Sequence, residues 1–533
     1  MTGDDPEMSN PSTTDSSATT TIGTLGDSFS PGGETHDHHF ATDHLLPDLR
    51  GRTVSGGFVA GVAQMVQFGL NLTSTIVLAR LLVPQDFGLV AMVMTVTGFL
   101  RMFHDAGLAT ATVQREGITH TQVSNLFWAN VMLGGLASLL LAAFAPAIAW
   151  FYREPRLVGI TLVICLTFVL TSPAAQHWAI LKRQMRFKMI AAIQVAAIAV
   201  GVFVGIGMAW LHWGYWSLVG LQLSSALTAL LLTWTASHWR PQLPKRSSGT
   251  LSLLSFGANL SVSNFIWSLA RGCDGLLIGR FYGSASLGFY SRGGALLARP
   301  IDQFMAPLEA VFVPTLSRLQ VQPERYRRIV LQVYETIALV TFLCTGLLLP
   351  LAHPLICTLL GPKWDNAAPI FAGFTLVALY IPVGSVVGWL LTSQGRGRDF
   401  LTQSSISSFL AVVSFLIGLP FGPVGVAVSY SAYCLLIALP IGYYIAGRRG
   451  PVTTRDLWSR FFTYLPLWGV VCGATFLVYR LVPTLRPWAE VMVCGSAGFL
   501  VGAVFIFVYP PTRRTALELF ALVKNWRAIG SNA

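Results

Sequence analysis

Charge is scarce in this chain. Only 11% of its 533 residues are Asp, Glu, Lys or Arg, while 53% are hydrophobic. A soluble domain carries roughly 25% charged residues, so a large soluble enzyme is excluded. The class this leaves is an all-α polytopic membrane protein. Acids are scarcer still outside the first 49 residues, which hold nine of the 23 and no Lys or Arg. The remaining chain carries all 35 basic residues against 14 acids. In an apolar background that excess reads as cytoplasmic loop charge, and nucleic acid is not expected as a partner. Seven cysteines form no CxxC pair, so no disulfide framework and no metal site is expected. No cleavable leader is expected either, because the first apolar run begins near Ser55 and is as long as a full span. No Walker A, HExxH or GxSxG pattern occurs, so no ATP site, no cofactor and no enzyme activity is expected.

Residues 1–50 are Ser, Thr, Asp and Gly-rich and read as a disordered acidic tail. His36, His38, His39 and His44 cluster there; a floppy tail is the simpler account and a metal-binding tract the sharper one. A ruler of about 20 apolar residues per crossing then marks fourteen spans. They are 56–80, 87–112, 122–150, 157–178, 188–211, 215–236, 253–281, 287–314, 329–352, 366–393, 401–420, 423–446, 460–482 and 488–509. With the N-terminus inside, 24 basic residues fall in cytoplasmic segments, seven in outer loops and four within spans. This predicts N-in, C-in topology.

Two stretches align without a gap at an offset of 200: ARLLVPQDFGLV at 79–90 and GRFYGSASLGFY at 279–290, matching Arg80 to Arg280 and Gly88 to Gly288. At an offset of 208, Pro146 pairs with Pro354 and Trp213-Gly214 with Phe421-Gly422. The organisation expected is an N-lobe of six spans (51–248), a C-lobe of six (249–450), two further spans (451–510) and a C-terminal tail (511–533).

Ionisable residues within spans are expensive and usually functional. At 100° per residue, Asn264, Trp267, Arg271 and Asp274 share one arc of span 7. Arg292 and Arg299 share a face of span 8, with Asp302 and Glu309 beside it. Gln64, Gln67, Asn71 and Ser74 form a stripe on span 1, and Thr97, Arg101, His104 and Asp105 cluster on span 2. These faces are expected to line a cationic cavity between the lobes. The bland account pairs Arg271 with Asp274 and Arg299 with Asp302 across one helical turn. Glu335 reads as a surface partner of the Arg325–Arg328 run, with proton coupling as the sharper account. His177-Trp178 reads as an interfacial anchor, and Gly201 with Gly205 as a close helix contact.

Four segments carry a family resemblance: ARLLVPQDFGLVAM at 79–92, AGLATATVQRE at 106–116, LKRQMRFK at 181–188 and LGPKWDNAAPIF at 360–371. Together they resemble the bacterial polysaccharide (Wzx-type, colanic-acid-like) flippases of the multidrug/oligosaccharidyl-lipid/polysaccharide exporter superfamily, over roughly residues 52–510. The resemblance implies a MATE-like fold of two six-helix lobes plus two helices. It implies an inner-membrane flippase for undecaprenyl-pyrophosphate-linked oligosaccharides in exopolysaccharide, O-antigen or other lipopolysaccharide biosynthesis. The expected partners are that lipid-linked oligosaccharide, membrane lipids, and polymerase or export machinery. Arg101, Arg271, Arg292 and Arg299, with Gln64, Asn71 and Asn264, are the expected substrate contacts, and Asp105, Asp274 and Asp302 the expected ion-coupling groups, all by position rather than by motif. The rival readings are an ion-coupled drug or metabolite antiporter and a lipid II flippase of the same superfamily. A glycosyltransferase or polymerase would need a large outer loop that the chain does not offer.

Overall fold

The computed structural model describes residues 49–104, 109, 112–113, 118–244, 250–482 and 485–530, without the side chains of 49–56, 58, 102–104, 250–271 and 522–530. The first tail with its histidines, Asp105, and the side chains of Asn264, Trp267, Arg271 and His104 therefore lie outside the described residues.

Every predicted span is helical in its described residues. The N-terminal six are α1 (Leu49–Leu81), α2 (Pro84–His104), α3 (His120–Tyr152), α4 (Leu157–Ile164 continuing as Leu166–Arg183), α5 (Phe187–Trp210) and α6 (Trp216–Ser237). The stretch Thr250–Arg318 is two helices, α7 (250–282) and α8 (284–318), broken at Gly283, whose φ of 79° only glycine adopts freely. Then follow α9 (Pro323–Leu348), the short helix Ala352–Leu359, a 3₁₀ turn Pro362–Ala367, and α10 (Ala368–Ser393). The remainder comprises α11 (Gly397–Gly418), α12 (422–447), α13 (Thr454–Leu481), α14 (Pro487–Val508) and α15 (Pro510–Gly530). Among the described residues there is no strand. A bilayer core offers the backbone no partner, so a spanning chain must satisfy its own amides, and helices do this.

Local chemistry sets the helix ends. Thr119 and Gln122 close a capping box at the start of α3, and Thr453 and Asp456 another at α13. Pro84 opens α2, and the Asp86 carboxylate accepts the Val83 amide at 3.3 Å, which accounts for the Pro-x-Asp spacing. Large apolar side chains such as Leu139, Phe144, Phe203, Phe409, Leu436 and Leu500 point outward from the bundle. On a soluble protein that surface would aggregate; around a bundle of spans it is the lipid face. The chain is a multi-pass membrane protein.

The interior is divided unevenly. At the end carrying Arg80, one apolar core runs through N-terminal and C-terminal helices alike, from Leu78, Phe87 and Leu141 to Ile278, Leu287, Trp364 and Phe371. At the opposite end the described residues form separate cores. Ile118, Phe127, Ile180 and Trp239 form one within the N-terminal helices, and Tyr326, Tyr334, Trp389, Tyr443 and Tyr464 another within the C-terminal ones.

Two turns at that divided end are built alike. Met185 and Gly395 both take positive φ, 53° and 67°. Arg186 and Arg396, one residue later, each donate to a carbonyl at the end of a neighbouring helix, Ala236 and Ala446, at 2.9 Å. Each cation sits where a helix C-terminus leaves unsatisfied carbonyls. Gly201 and Gly205 let α5 approach α6 closely, since a methyl at either would fall 2.8–2.9 Å from Leu221.

Two expectations are corrected. Glu335 pairs with Arg460 of α13 at 2.9 Å, not with the Arg325–Arg328 run, because Arg327 is taken by Asp456 at 2.6 Å. His177 is no interfacial anchor. It is fully buried, shares a 2.7 Å hydrogen bond with Ser237, and is ringed by Phe127, Trp234 and Trp239.

Candidate transport cavity and interlobe clasp

The polar stripe of α1 meets α8. A small pocket of about 30 Å³ lies between them, lined by Phe68, Asn71, Leu72, Thr75, Arg299 and Pro300 among others. One turn away, the Gln303 amide donates to the Gln64 carbonyl at 2.9 Å. Asn71 and Arg299, predicted from separate lobes, are thus brought together, and Gln64 lies beside them. Gln67 extends the stripe toward α5 by a 3.2 Å hydrogen bond to Gln194, while Ser74 is buried.

Arg292 lies two turns before Arg299, about 10 Å along the helix. Its guanidinium stacks 4.6 Å from the centre of the Phe87 ring on α2, an attractive cation–π geometry. Its Nε is buried and has no acceptor among the described residues. An unsatisfied buried donor costs about 1–3 kcal/mol, so this cation is held in the interlobe region at a cost to stability.

Asp302 does not neutralise Arg299 in the expected way. Asp302 and Glu309 are exposed, and among the described residues no ion pair joins Arg299 to Asp302. Asp274 accepts from the Tyr290 hydroxyl at 2.9 Å, tying α7 to α8. Arg101 is exposed on α2, outside the pocket lining. Thr97 is buried and bonds back to Val93 in its own helix. Asn264, Arg271 and Asp105 fall outside the described side chains, so their predicted roles are not placed.

Two of the sequence motifs, ARLLVPQDFGLV and LGPKWD, meet at the joined end, in an arrangement their spacing did not reveal. The indole N–H of Trp364, from LGPKWD, donates to the Ala79 carbonyl at 2.8 Å, and its ring abuts Phe87 edge-on at 5.2 Å. Arg80 donates to the carbonyls of Thr358 at 2.6 Å and Leu359 at 3.4 Å. From the other lobe, Arg280 lies 5.8 Å from the Phe151 ring.

Between these contacts α2 and α8 cross backbone to backbone. A methyl at Gly88 would fall 1.7 Å from the Ser284 carbonyl oxygen, and one at Gly288 would fall 2.0 Å from the Pro84 carbonyl oxygen. The four positions are related by the same offset of 200 that aligned the two stretches. No side chain larger than hydrogen fits at either glycine without parting the helices.

Comparison with known proteins adds an independent finding. A family model described as polysaccharide biosynthesis protein matches residues 77–369. The lipopolysaccharide biosynthesis protein WzxC of Escherichia coli is 23% identical, over 78% of this chain and 86% of its own. The teichuronic acid biosynthesis protein TuaB of Bacillus subtilis is 25% identical, over 74% and 87%. The succinoglycan biosynthesis transport protein ExoT of Rhizobium meliloti is 27% identical, over 61% and 66%. Among solved structures, the lipid II flippase MurJ in an inward closed conformation aligns with a TM-score of 0.67 at 12% identity, covering 85% of this chain and 98% of that one. An inward-facing MATE family transporter of the MOP superfamily aligns at 0.51 and 15% identity, covering 76% and 99%. These two give the fold. The family match contains the whole clasp, from Ala79 to Trp364, and spans more than half of the sequence: the chain belongs to the polysaccharide biosynthesis protein family.

Proposed function

We propose that this protein is a flippase. It carries undecaprenyl-pyrophosphate-linked oligosaccharide repeat units from the cytoplasmic to the outer leaflet of the bacterial inner membrane, for assembly of a surface polysaccharide. The observation that carries the reading is the asymmetry of the interior among the described residues: one core shared by N-terminal and C-terminal helices at the Arg80 end, separate cores at the other. Such a bundle can rock between two states about a site midway, the alternating-access geometry. The loop charges support a divided end that faces the cytoplasm, with both termini inside.

The chemistry of the interlobe region suits this substrate. Sugar hydroxyls and a pyrophosphate cannot enter hydrocarbon unaided. Arg299 and Arg292 offer guanidinium forks, which bind phosphate oxygens in pairs, and Gln64 and Asn71 offer amides for hydroxyls. The lipid tail would remain in the bilayer while the head group passes. A drug antiporter, whose cargo is cationic, would need an excess of acids at the positions of these arginines. Asp105, Asp274 and Asp302 are the groups available for ion coupling. Polysaccharide polymerase or export proteins would take the product on the outer side.

The lobes are best read as two copies of one six-helix unit, 51–248 and 249–450, with 451–510 appended. The matched Arg186 and Arg396 turns and the reciprocal Gly88 and Gly288 crossing support this reading.

The test is complementation of a deletion strain. Wild type restores surface polysaccharide; Arg292→Ala and Arg299→Ala, at equal expression, do not, and lipid-linked units accumulate. Arg328→Ala, at an exposed position near the start of α9, behaves as wild type. Unchanged polysaccharide on deletion, with altered drug sensitivity, would overturn the proposal.

A further inference from the structure

We propose that His353, Cys357 and Asp365 form a binding site for a zinc-class divalent transition metal ion, built into the loop that receives Arg80. His353 and Cys357 stand one turn apart on the short helix Ala352–Leu359, so their side chains share a face. The chain then turns at Gly361, with φ of 98°, and the 3₁₀ turn brings Asp365 back against them.

The three donor atoms form a closed triangle. His353 Nε2 lies 2.8 Å from Asp365 Oδ1, Cys357 Sγ 3.8 Å from His353 Nε2, and Cys357 Sγ 3.8 Å from Asp365 Oδ1. In a tetrahedral zinc site the ligand bonds are about 2.0–2.3 Å, which puts donors about 3.3–3.6 Å apart. Two edges already fit to within about 0.2 Å, and the third opens by about 0.5 Å when the ion replaces the direct His–Asp contact. A thiolate, an imidazole and a carboxylate select zinc, cobalt or copper over magnesium or calcium. The fourth position is left to water. His353 and Asp365 are more than half exposed, so an ion has an open path.

The placement gives the site a consequence. The ligands interleave with the clasp: Thr358 and Leu359 accept from Arg80, and Trp364 donates to Ala79. An ion joining the helix to the turn would fix the loop on which those acceptors and that donor stand. It would therefore favour the state in which the Arg80 end is closed.

Full-length protein, purified in detergent and stripped of metal, is titrated with Co²⁺. A thiolate-to-cobalt absorption band in the near ultraviolet at one ion per chain is expected. Cys357→Ser should abolish it, and Cys344→Ser, from α9, should keep it. In a second measurement, alkylation of Cys357 is followed by peptide mapping. Zn²⁺ should slow it in wild type, and His353→Ala or Asp365→Asn should weaken that protection by about tenfold or more. Unchanged metal-free melting of each variant shows that it is folded. Absence of the band, its persistence in Cys357→Ser, or alkylation indifferent to Zn²⁺ would each overturn the site. All these readouts are independent of transport, so a failed flippase reading would not be mistaken for a failed metal site.

Discussion

Replacing Gly88 by alanine tests the clasp at its tightest point. The added carbon would lie 1.7 Å from the Ser284 carbonyl oxygen, where ordinary contact begins near 3.4 Å. Helices α2 and α8 must part there by about 1.7 Å, and the obstacle is backbone, which has no rotamer to yield. Overpacking of this kind costs about 1–3 kcal/mol. The cost falls only on the state in which the two helices cross at this end. A bias of that size shifts a two-state equilibrium by about 5- to 150-fold. Spin labels at exposed Gln85 and Lys363, in a background without native cysteines, would read the opening by pulsed electron paramagnetic resonance. Gly88→Ala and Gly288→Ala should each move the population toward longer distances. Gly135→Ala should not, because a methyl there meets nothing within 4 Å. An unchanged distance distribution in both clasp variants, with wild-type polysaccharide, would refute the reasoning.

Three further outcomes follow from the same geometry. Trp364→Phe keeps the ring against Phe87 but removes the donor to the Ala79 carbonyl; thermal unfolding should show a loss of about 1–3 kcal/mol, and no loss would mean that water replaces the bond. Breaking the Glu335–Arg460 pair with Arg460→Ala should loosen α13 from α9, seen as faster amide exchange in residues 454–464, whereas Arg328→Ala should leave exchange unchanged. Glu154 lies in the α3–α4 loop, where its hydrogen bond to Arg156 holds its carboxyl below the usual value. That stabilisation is present at neutral pH and is lost as pH falls through the depressed value. Arg156→Gln should lower the melting temperature near pH 7 and converge with wild type in acid; a difference independent of pH would contradict the assignment.

The spans are legible because a bilayer imposes a length on every apolar run, and α5, α6 and α14 begin and end within about one residue of their predicted bounds. Where the ruler failed, polar residues were the reason. Span 4 was drawn to 178, yet α4 continues to Arg183. Its last turns are polar but buried, with Gln176 bonded to Thr112 and Arg183 to the Thr112 carbonyl. Hydropathy counts such residues as surface. Pairing across the fold was equally hidden. Glu335 has basic neighbours in sequence, and its partner lies on a helix more than a hundred residues away. The metal-site residues were passed over because no CxxC announces them; the signal present was His353-x₃-Cys357 on one helical face, completed by an acid beyond a glycine turn. Helical phase alone singles out Asn71 and Arg299, which the fold brings to one small pocket. It singles out Arg292 too, but the contact of Arg292 with Phe87 in the ARLLVPQDFGLV segment depends on how the helices dock.

The most direct measurement uses purified protein in liposomes carrying a fluorescent undecaprenyl-pyrophosphate-linked oligosaccharide, with an impermeant reagent reporting the leaflet. Wild-type vesicles should equilibrate the label between leaflets, while Arg299→Ala and empty vesicles should leave it where it began. Equal protection in wild-type and empty vesicles, or undiminished movement in Arg299→Ala, would contradict the account.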